Sequence, residues 1–579
     1  METLSAPLQT LLSGITAFLS AHPLVGSWYT AFVRFLFPVV AFLILFRAFR
    51  SLLRVPHTPE IWGQLSLPNG TPLQLTHWEN IIGRGKTADV FLNYPSISRQ
   101  HAALCRGEDG QWTVYDLGSK GGTVVNGHKV RDSAPVKLGD TITLGGVPLL
   151  FLPQTVAERE ELEEKRRAER PVSSLPSFLG LTVFQVLACL QLVVACGAEE
   201  APQIVLAFLG LTILMWLYFV ALRCTRCVGF ELETIAFFLS TLSLSVTASS
   251  APGSLFKQFL AIFLGLGVFL VLGLFLRDLA RVQKIRWLMA AGAIGLLGIT
   301  LVLGSAKYGA VNWISIGGLS FQPSEIAKLG VILYFADSIS KKKDKMRTLR
   351  YGILPYGFIL ALIAVLMYFE PHLSGTVLIL GIGAAMMFVG GIRGYWVGIG
   401  IGGIAAVAYA FLSGLITYNS SRIAIWLDPL NDAFKTGTGY QTRQSLIAIG
   451  SGGLLGLGLG KSRQKFLFLP EEHNDCIFSI ICEELGLIGA TLIMAIFALL
   501  IIRGYWIALH ARDRFGSLLV VGITTQIALQ VFLNIAVVTN LVPNTGISLP
   551  FFSFGGTALA IQLAEMGVVL SVSRQMPPG

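Results

Sequence analysis

Long apolar runs dominate this chain of 579 residues and restrict what it can fold into. A helix needs about 20 apolar residues to cross the roughly 30 Å hydrocarbon core of a membrane. Only 13% of the residues are charged, whereas soluble domains have about one quarter. The sequence therefore predicts a polytopic α-helical membrane protein with about thirteen transmembrane helices. The predicted windows are 25–47, 178–196, 203–222, 231–248, 256–276, 285–304, 324–338, 351–369, 372–391, 394–413, 476–502, 515–540 and 550–573.

The sequence between the first two windows has a different character. Residues 57–155 contain short β-rich runs such as WTVYDL and TITL, separated by Pro, Asn-Gly and Asp-Gly. Closely spaced turn signals of this kind predict a small all-β sandwich. Mixed charges in residues 156–177 predict an exposed helical linker.

Short basic loops predict the orientation of the helices, because Lys and Arg accumulate on the cytoplasmic side. With thirteen spans, the five basic segments fall on one side: 47–54, 223–226, 277–286, 340–350 and 503–514. We therefore expect the β domain to be cytoplasmic, and the N-terminus and the loop 414–475 to lie outside. Residues 1–56 lack a convincing cleavage site, which predicts an uncleaved anchor. Membrane orientation also accounts for the net charge of +10 without nucleic-acid binding.

Five acidic residues and a histidine are concentrated in residues 468–486, FLPEEHNDCIFSIICEELG. A carboxylate that faces lipid is costly. We therefore expect Asp475 at the outer surface, at the start of a helix that carries Glu483 and Glu484 into the protein. ATP is absent on that side, so a substrate must arrive already activated. Alternatively, Asp475 only caps the helix that begins near Ile477.

Three further stretches carry polar residues or helix breakers. In NWISIGGLSFQPSEIAKLG, Trp313 suits a membrane interface, and Glu325 and Lys328 share a helix face. The piece GSGGLLGLGLG predicts tight backbone packing or a re-entrant element, and the Pro and Gly of LVPNTGISLPFFSFGGTALA suit backbone lining a cavity. The outer loop carries candidate contacts for a diphosphate or for lipid phosphates, namely Arg422, Lys461 and Lys465.

The β domain contains four short motifs in a fixed order: Gly83-Arg84, Ser98-Arg99-Gln100-His101, Asp116-Leu117-Gly118-Ser119 and Asn126-Gly127. The set resembles the forkhead-associated (FHA) domain. The resemblance implies phosphothreonine binding, with the phosphate held by Arg84 and Ser98 and with Arg99 nearby. A guanidinium and a hydroxyl suit a phosphate dianion. His101 is interpreted as structural. Gly121 stands where the family usually has a peptide-gripping asparagine, so a degenerate domain used for protein contacts is the alternative.

Several long motifs in the membrane region resemble the SEDS family of shape, elongation, division and sporulation proteins. They are WISIGGLSFQPSEIAK, EPHLSGT, GYQTRQSLIAIGSGG, FLPEEHNDCIF with EELG, and PNTGISLPFFSFGG. The resemblance covers residues 231–579, which hold ten of the thirteen spans. The anchor and the two helices in 178–230 lie outside it. His372 stands where the family commonly has an aspartate.

The resemblance implies polymerisation of lipid II, the undecaprenyl-diphosphate-linked disaccharide-peptide. The residues fit that reaction, because one carboxylate can deprotonate the attacking sugar hydroxyl. The diphosphate leaving group then needs only cations or a metal. The implied base is Asp475, and the implied cavity residues are Trp313, Glu325, Lys328 and Glu484. Whether a divalent metal ion is required stays open.

The resemblance also implies partners. We expect lipid II, membrane lipids, a class B penicillin-binding protein and a phosphothreonine protein marked by a Ser/Thr kinase. Two rival functions are a lipid II flippase, which would use Glu325, Lys328 and Glu484, and a scaffold for a division complex. Cys224 and Cys227 form one isolated CxxC and are interpreted as incidental thiols rather than a metal site.

Overall fold

The computed structural model describes most of the chain in separate segments. These are residues 21–54, 61–153, 173–224, 230–275, 286–413, 420–431, 437–470, 474–552 and 556–575, the positions 14 and 160, and gaps within them at 78, 86–87, 108–109, 198, 304, 308–309, 317–318, 371–372, 467 and 512. The chain forms two compact units. One combines Met1–Leu52, Ser173–His510 and Phe515–Ser573, and Leu53–Val172 makes up most of the other.

The smaller unit is a β-sandwich. Its strands are β1 (Gly63–Ser66), β2 (Pro72–Leu75), β3 (Glu79–Gly83), β4 (Val90–Phe91), β5 (Ala102–Arg106), β6 (Trp112–Asp116), β7 (Thr123–Val125), β8 (His128–Lys129), β9 (Ser133–Val136), β10 (Thr141–Leu144) and β11 (Val147–Leu152). One sheet has the order β2-β1-β11-β10-β7-β8 and the other β4-β3-β5-β6-β9. Pairing is antiparallel except between β3 and β4.

The core of the sandwich comes from the inward residues of both sheets. Leu65, Leu104, Ile142 and Phe151 are fully buried. Along β10 the buried Ile142 and Leu144 alternate with less buried threonines, as expected when one face of a strand packs on a core. The predicted all-β sandwich is confirmed.

The larger unit is mainly helical. Its helices are α1 (Pro23–Arg54), α2 (Leu175–Cys196), α3 (Ala201–Cys224), α4 (Glu231–Ser250), α5 (Leu255–Phe275), α6 (Arg286–Leu303), α7 (Pro323–Lys342), α8 (Leu354–Phe369), α9 (Leu373–Val389), α10 (Gly394–Leu412), α11 (Ser420–Leu427), α12 (Tyr440–Ser451), α13 (Ile477–Leu509), α14 (Arg514–Val538) and α15 (Gly556–Gln575).

Every predicted window coincides with one of these helices. Within the described segments, nine helical stretches are long and apolar enough to cross a membrane. The polytopic helical fold is confirmed, whereas the count of thirteen spans stays a prediction. The helix α4 is almost completely buried, and its 18-residue apolar window is 100% buried inside the protein, so it lies at the centre of the unit.

The structure contains elements that the sequence did not predict. The stretch 305–323, which lies between two predicted helical windows, holds three short antiparallel strands, β12 (Ser305–Lys307), β13 (Ala310–Ile316) and β14 (Leu319–Phe321). The loop 414–475 contains α11 and α12. These elements are too short or too rich in polar residues and Gly to show the apolar periodicity on which the prediction relied.

The helices α1 and α13 run in the same direction. Near their starts, Thr30 and Glu484 line the same groove. Near their ends, Ser51 and Arg503 both contact Glu231: the Ser51 Oγ donates to Oε1 at 2.5 Å, and Arg503 Nη2 lies 3.9 Å from Oε2. The start of α1 and the turn that carries Asp475 therefore belong to the same end of the helical unit.

Candidate active site

Asp475 lies in the turn 474–476, directly before α13 begins at Ile477. Its side chain is partly exposed. Cys476, rather than Asp475, occupies the N-cap position, and Cys476 makes no capping hydrogen bond with its side chain. Asp475 therefore lies one residue before the N-cap and does not occupy the capping position that the alternative interpretation assigned to it.

A buried amide fixes the backbone of this turn. The Asn534 Nδ2 on α14 donates to the backbone oxygen of Asp475 at 2.9 Å and to that of Ile547 at 2.6 Å. Asn534 is fully buried. One side chain therefore links the Asp475 turn to the Pro- and Gly-containing loop that follows α14.

That loop approaches the carboxylate closely. Gly546 has φ +69°, and a Cβ placed there would lie 3.2 Å from Asp475 Oδ2. The conformation favours glycine, and the absence of a side chain leaves space at the carboxylate. The Asn544 Oδ1 accepts from the backbone N–H of Gly546 at 3.1 Å, and Asn544 Nδ2 donates to Gln441 Oε1 at 2.9 Å.

Arg422 reaches the same loop from α11. Its Nη1 donates to the backbone oxygen of Asn544 at 3.1 Å, two residues before Gly546. Trp426 and Asn540 exchange hydrogen bonds: the Trp426 Nε1 donates to Asn540 O at 3.2 Å, and Asn540 Nδ2 donates to Trp426 O at 3.0 Å. The short helix α11, absent from the sequence prediction, thus places an exposed guanidinium beside the site.

The glycine-rich piece docks into a break in α13 at Gly486, where φ is +67°. The N–H groups of Leu457 and Gly458 donate to the backbone oxygens of Glu483 and Glu484, both at 2.9 Å. Beyond the break, the N–H of Leu487 donates to Gly453 O at 2.9 Å. The loop thus satisfies backbone groups that the broken helix leaves open.

This docking leaves no room for side chains. A Cβ on Gly452 would lie 2.0 Å from Cys482 O, and one on Gly456 would lie 2.1 Å from Glu484 O. The predicted tight backbone packing is confirmed by these distances.

Glu483 and Glu484 face a network in the same loop. Glu483 accepts from the hydroxyl of Ser462 and from the N–H groups of Arg463 and Gln464, at 3.1 and 3.3 Å. Glu484 Oε1 accepts from Ser249 Oγ at 2.5 Å. Both glutamates are buried, with 1% and 2% of their surface exposed. Their carboxylates therefore hold the loop 462–464 and Ser249 on α4 against α13.

Lys465 belongs to this network too. Its Nζ lies 3.7 Å from Glu484 Oε1 and donates to Ser249 Oγ at 3.1 Å and to Gly460 O at 2.7 Å. Only 6% of the side chain is exposed. The structure therefore assigns the charge of Lys465 to a buried pair, unlike the exposed Lys461 and Arg422.

A second polar cluster involves the predicted pair on α7. Lys328 Nζ lies 2.7 Å from Glu325 Oε2, with 2% and 8% of the side chains exposed. Both charges lie within electrostatic range of Glu565 on α15. The Gln526 Nε2 on α14 donates to both oxygens of Glu565, at 3.0 and 2.9 Å.

Sequence reasoning missed Glu565 and the polar face of α14. Gln526, Gln530 and Asn534 repeat every four residues, so they share one helix face, and all three are buried. This face connects the cluster around Glu565 with the turn at Asp475. The four-residue repeat of polar side chains in an apolar helix could have been recognised in the sequence. Their partners on other helices could not.

Some predicted residues lie outside the described part. Trp313 is in β13, where its backbone pairs with Ser305, and its side chain is not described. Other predicted residues lie wholly outside the described part: Glu471, Glu472, His473, His372, Cys227, and positions 156–159 and 161–172 of the linker 156–177. In the segments that the structure covers, no three His, Cys, Asp or Glu residues are grouped as metal ligands would be.

In the β unit, backbone pairing joins the predicted phosphate ligands. The N–H of Arg84 donates to Ser98 O, and that of Gly85 donates to Arg99 O, both at 2.9 Å. The Ser98 Oγ accepts from the N–H of Lys120 at 3.0 Å. Arg84 and Arg99 are exposed, so a basic, hydroxyl-bearing surface forms there.

Two buried groups shape this surface from below. His101 is fully buried, and its Nδ1 accepts from the N–H of Ser98 at 3.1 Å, so Nε2 donates to Gly122 O at 3.1 Å. This is the structural role predicted for it. Burial opposes ionisation of Asp116, but hydrogen bonds from the backbone and hydroxyl of Ser119 outweigh it and lower the pKa of Asp116.

Gly121 is packed too tightly for a larger residue. A Cβ there would lie 2.7 Å from Gly145 Cα and 2.9 Å from Ser96 O. The close approach of Gly145 and Ser96 therefore favours glycine over the usual asparagine at this position.

Known proteins resemble both parts of the chain. Residues 222–577 match the family described as FtsW/RodA/SpoVE, cell cycle protein, and residues 80–145 match the FHA domain. A protein of Geobacter sulfurreducens named probable peptidoglycan glycosyltransferase FtsW is 42% identical over 275 residues, which cover 47% of this chain and 73% of that protein. Stage V sporulation protein E of Bacillus subtilis is 43% identical over 274 residues, covering 47% and 74%.

A solved structure extends the likeness to the fold. It concerns the structural coordination of polymerization and crosslinking by a peptidoglycan synthase complex. One of its chains superposes with a TM-score of 0.52 and 27% identity, over 60% of this chain and 97% of that chain.

Proposed function

The chain belongs to the FtsW/RodA/SpoVE family, and from that membership we propose that it is a peptidoglycan glycosyltransferase that polymerises lipid II. One observation carries the proposal. A partly exposed carboxylate, Asp475, is held at the start of α13 beside a loop that also binds the exposed Arg422. A general base for proton removal and a cation for an anionic leaving group are the two parts that the transfer needs.

In the proposed reaction, Asp475 takes the proton of a sugar hydroxyl as that oxygen attacks the anomeric carbon of a second substrate. The new glycosidic C–O bond forms while the C–O bond to the diphosphate breaks. The electron pair leaves with the lipid diphosphate, which Arg422 and Lys461 stabilise electrostatically. The buried network of Lys465 with Glu484 holds the loop that carries Lys461.

The proposed orientation places this chemistry outside the cytoplasmic membrane. The protein is a multi-pass membrane protein. The shared end of α1 and Asp475 and the distribution of basic loops support an outer site and a cytoplasmic FHA domain. We propose that this domain binds a phosphothreonine protein. The peptidoglycan synthase complex among the structural relatives supports a class B penicillin-binding protein as the second partner.

A specific observation favours the flippase as a second candidate. Two buried carboxylates and one buried ammonium, those of Glu325, Glu565 and Lys328, lie together within the helical unit. Intramembrane charges of this kind also mark transport pathways.

The test compares Asp475→Asn with wild type in purified full-length protein given lipid II and the partner transpeptidase. We expect glycan polymer, measured on gels, to fall by at least about 10²-fold, because a general base contributes about 10²–10⁴-fold. The matched control is Asp428→Asn, which changes an exposed acid in the same outer loop and should leave polymerisation unaltered.

Full polymerisation by Asp475→Asn would overturn the base assignment. Movement of labelled lipid II across vesicles that survives Asp475→Asn but stops with Glu325→Gln would instead establish the flippase.

A further inference from the structure

A groove runs between α1 and the helices α2, α4 and α13. One wall is a face of α1, with Val33, Phe37 and Ala41 among its residues, and the other is α13 from Glu484 to Ile496. Both α1 and α2 precede the residues that match the FtsW/RodA/SpoVE family. This groove is therefore built partly from elements that the family region does not supply.

The groove is polar at one end only. Its polar lining residues lie together near the glycine-rich loop: Thr30, Arg34, Gln191, Ser245 and Glu484. Toward Ala41 and Ile496 the lining is apolar. The stretch of α13 along the groove is about 18 Å long at about 1.5 Å per residue, close to half of a roughly 30 Å hydrocarbon core. The groove therefore has the polarity and the length of one lipid in one leaflet.

Two buried atoms at the polar end have no hydrogen-bond partner among the described residues, Arg34 Nε and Gln191 Oε1. Gln191 is 1% exposed, and its Nε2 already donates to Thr30 Oγ1 at 3.3 Å and to Leu459 O at 3.1 Å. A buried polar atom without a partner costs about 1–3 kcal/mol. The site thus offers one donor and one acceptor to a ligand.

The depth of Arg34 suits a lipid phosphate. Trp28 is 75% exposed and lies at the start of α1, where tryptophan marks the membrane interface. Arg34 follows six residues later, about 9 Å deeper, and an arginine side chain can extend back to the interface from that depth. An arginine within a spanning helix is a functional residue by default.

We propose that this groove binds one membrane glycerophospholipid. The guanidinium of Arg34 binds its phosphate, Gln191 Oε1 accepts from a headgroup or glycerol hydroxyl, and one acyl chain lies along α13. The lipid joins the anchor helix α1 to the core. This site is independent of the proposed glycosyltransferase reaction.

The test uses delipidated full-length protein titrated with dioleoylphosphatidylglycerol, with bound lipid counted by native mass spectrometry. We expect one tightly bound lipid in wild type and at least about tenfold weaker binding in Arg34→Gln, which corresponds to about 1.4 kcal/mol. Arg50→Gln is the matched control, because Arg50 is an exposed cation of the same helix that does not line the groove.

A second pair of variants tests the apolar half. Leu492 lines the groove, so Leu492→Trp should fill it and prevent lipid binding. Leu487 is 59% exposed and does not line the groove, so Leu487→Trp should leave binding unchanged. If Arg34→Gln does not fold, Gln191→Leu tests the same end of the site.

Two results would overturn the proposal. One is that Arg34→Gln and Arg50→Gln bind the phospholipid with equal affinity. Arg34 Nε and Gln191 Oε1 would then be hydrogen-bonded to an enclosed water rather than to a lipid. The other is competitive displacement of the phospholipid by undecaprenyl diphosphate, which would make the groove a substrate path.

Discussion

Asp475 and Glu484 both belong to the start of α13, yet the fold surrounds them differently. Asp475 is partly exposed and lies against a loop glycine. Glu484 is buried with Ser249, Ser462 and Lys465 around one carboxylate oxygen. The two acids are alike in sequence, and only their surroundings distinguish the proposed base from an acid that is buried in the fold.

The difference follows from the cost of burying charge. A buried carboxylate must be paired and hydrogen-bonded to stay ionised. The donors around Glu484 are therefore already bonded within the protein. Asp475 is partly exposed, and Asn534 holds its backbone oxygen. A buried charge whose partners lie inside the protein holds structure, whereas a partly exposed charge is accessible to a ligand.

The strongest test of this comparison after Asp475→Asn is Glu484→Gln. The substitution leaves the ammonium of Lys465 buried without its counter-charge, and breaking a buried pair costs about 3–5 kcal/mol. We therefore expect a clear loss of thermal stability, measured by unfolding in detergent, with reduced yield of folded protein. Asp475→Asn should change the unfolding temperature far less.

The double variant Glu484→Gln with Lys465→Met supplies the control. Removing both charges should recover much of the stability, because no unpaired charge remains. A double variant as unstable as Glu484→Gln would contradict the buried-pair explanation.

The comparison also shows what sequence could reveal. Each apolar window became a helix, because length and hydropathy act locally. Asp475 stood out through its position next to such a window. The roles of Asn534, Gln526 and Glu565 depend on partners from other helices, and the insertion of the glycine-rich loop at Gly486 depends on a three-dimensional approach of two segments. Periodicity carries no information about either.

The FHA domain repeats the contrast and allows a second prediction. His101 is buried with both ring nitrogens bonded, whereas Arg84 is exposed beside Ser98. Arg84→Ala should weaken phosphothreonine-peptide binding by about 10- to 100-fold, because charge-assisted hydrogen bonds contribute about 1.5–3 kcal/mol. Fluorescence titration of the full chain measures this.

Arg131→Ala, which removes another exposed arginine of the domain, should bind normally. Binding of the unphosphorylated peptide equal to that of the phosphorylated one would instead support the degenerate domain.

Gly121 sharpens the same comparison from the packing side. Restoring the usual asparagine by Gly121→Asn should destabilise the sandwich by about 1–3 kcal/mol, because its Cβ meets backbone atoms of Gly145 and Ser96. Faster amide hydrogen exchange in β7 and β10 would report it. Gly127→Asn is the control for steric overlap, since no atom lies within 4 Å of a Cβ there. Its positive φ of 84° strains a side chain, though asparagine less than most residues, so we expect a smaller increase in exchange. Equal exchange in both variants would refute the steric explanation.

Glu370, a buried carboxylate in the turn after α8, tests the limit of the rule that buried acids are paired. Only 1% of it is exposed, and its Oε1 has no hydrogen-bond partner in the described part of the chain. Burial raises the pKa of Glu370 to about 7. The folded state thus holds this proton more tightly than the unfolded state, so stability should decline as pH rises from about 4.5 through 7 and then level off.

The expected loss is about 1–2 kcal/mol after allowing for solvent near the turn. Glu370→Gln should remove that part of the pH dependence and should be the more stable protein at pH 8, as measured by thermal unfolding across pH 5–8. Retention of the full wild-type slope by Glu370→Gln would show that another group titrates. In that case burial of Glu370 would not be the cause of this part of the pH dependence.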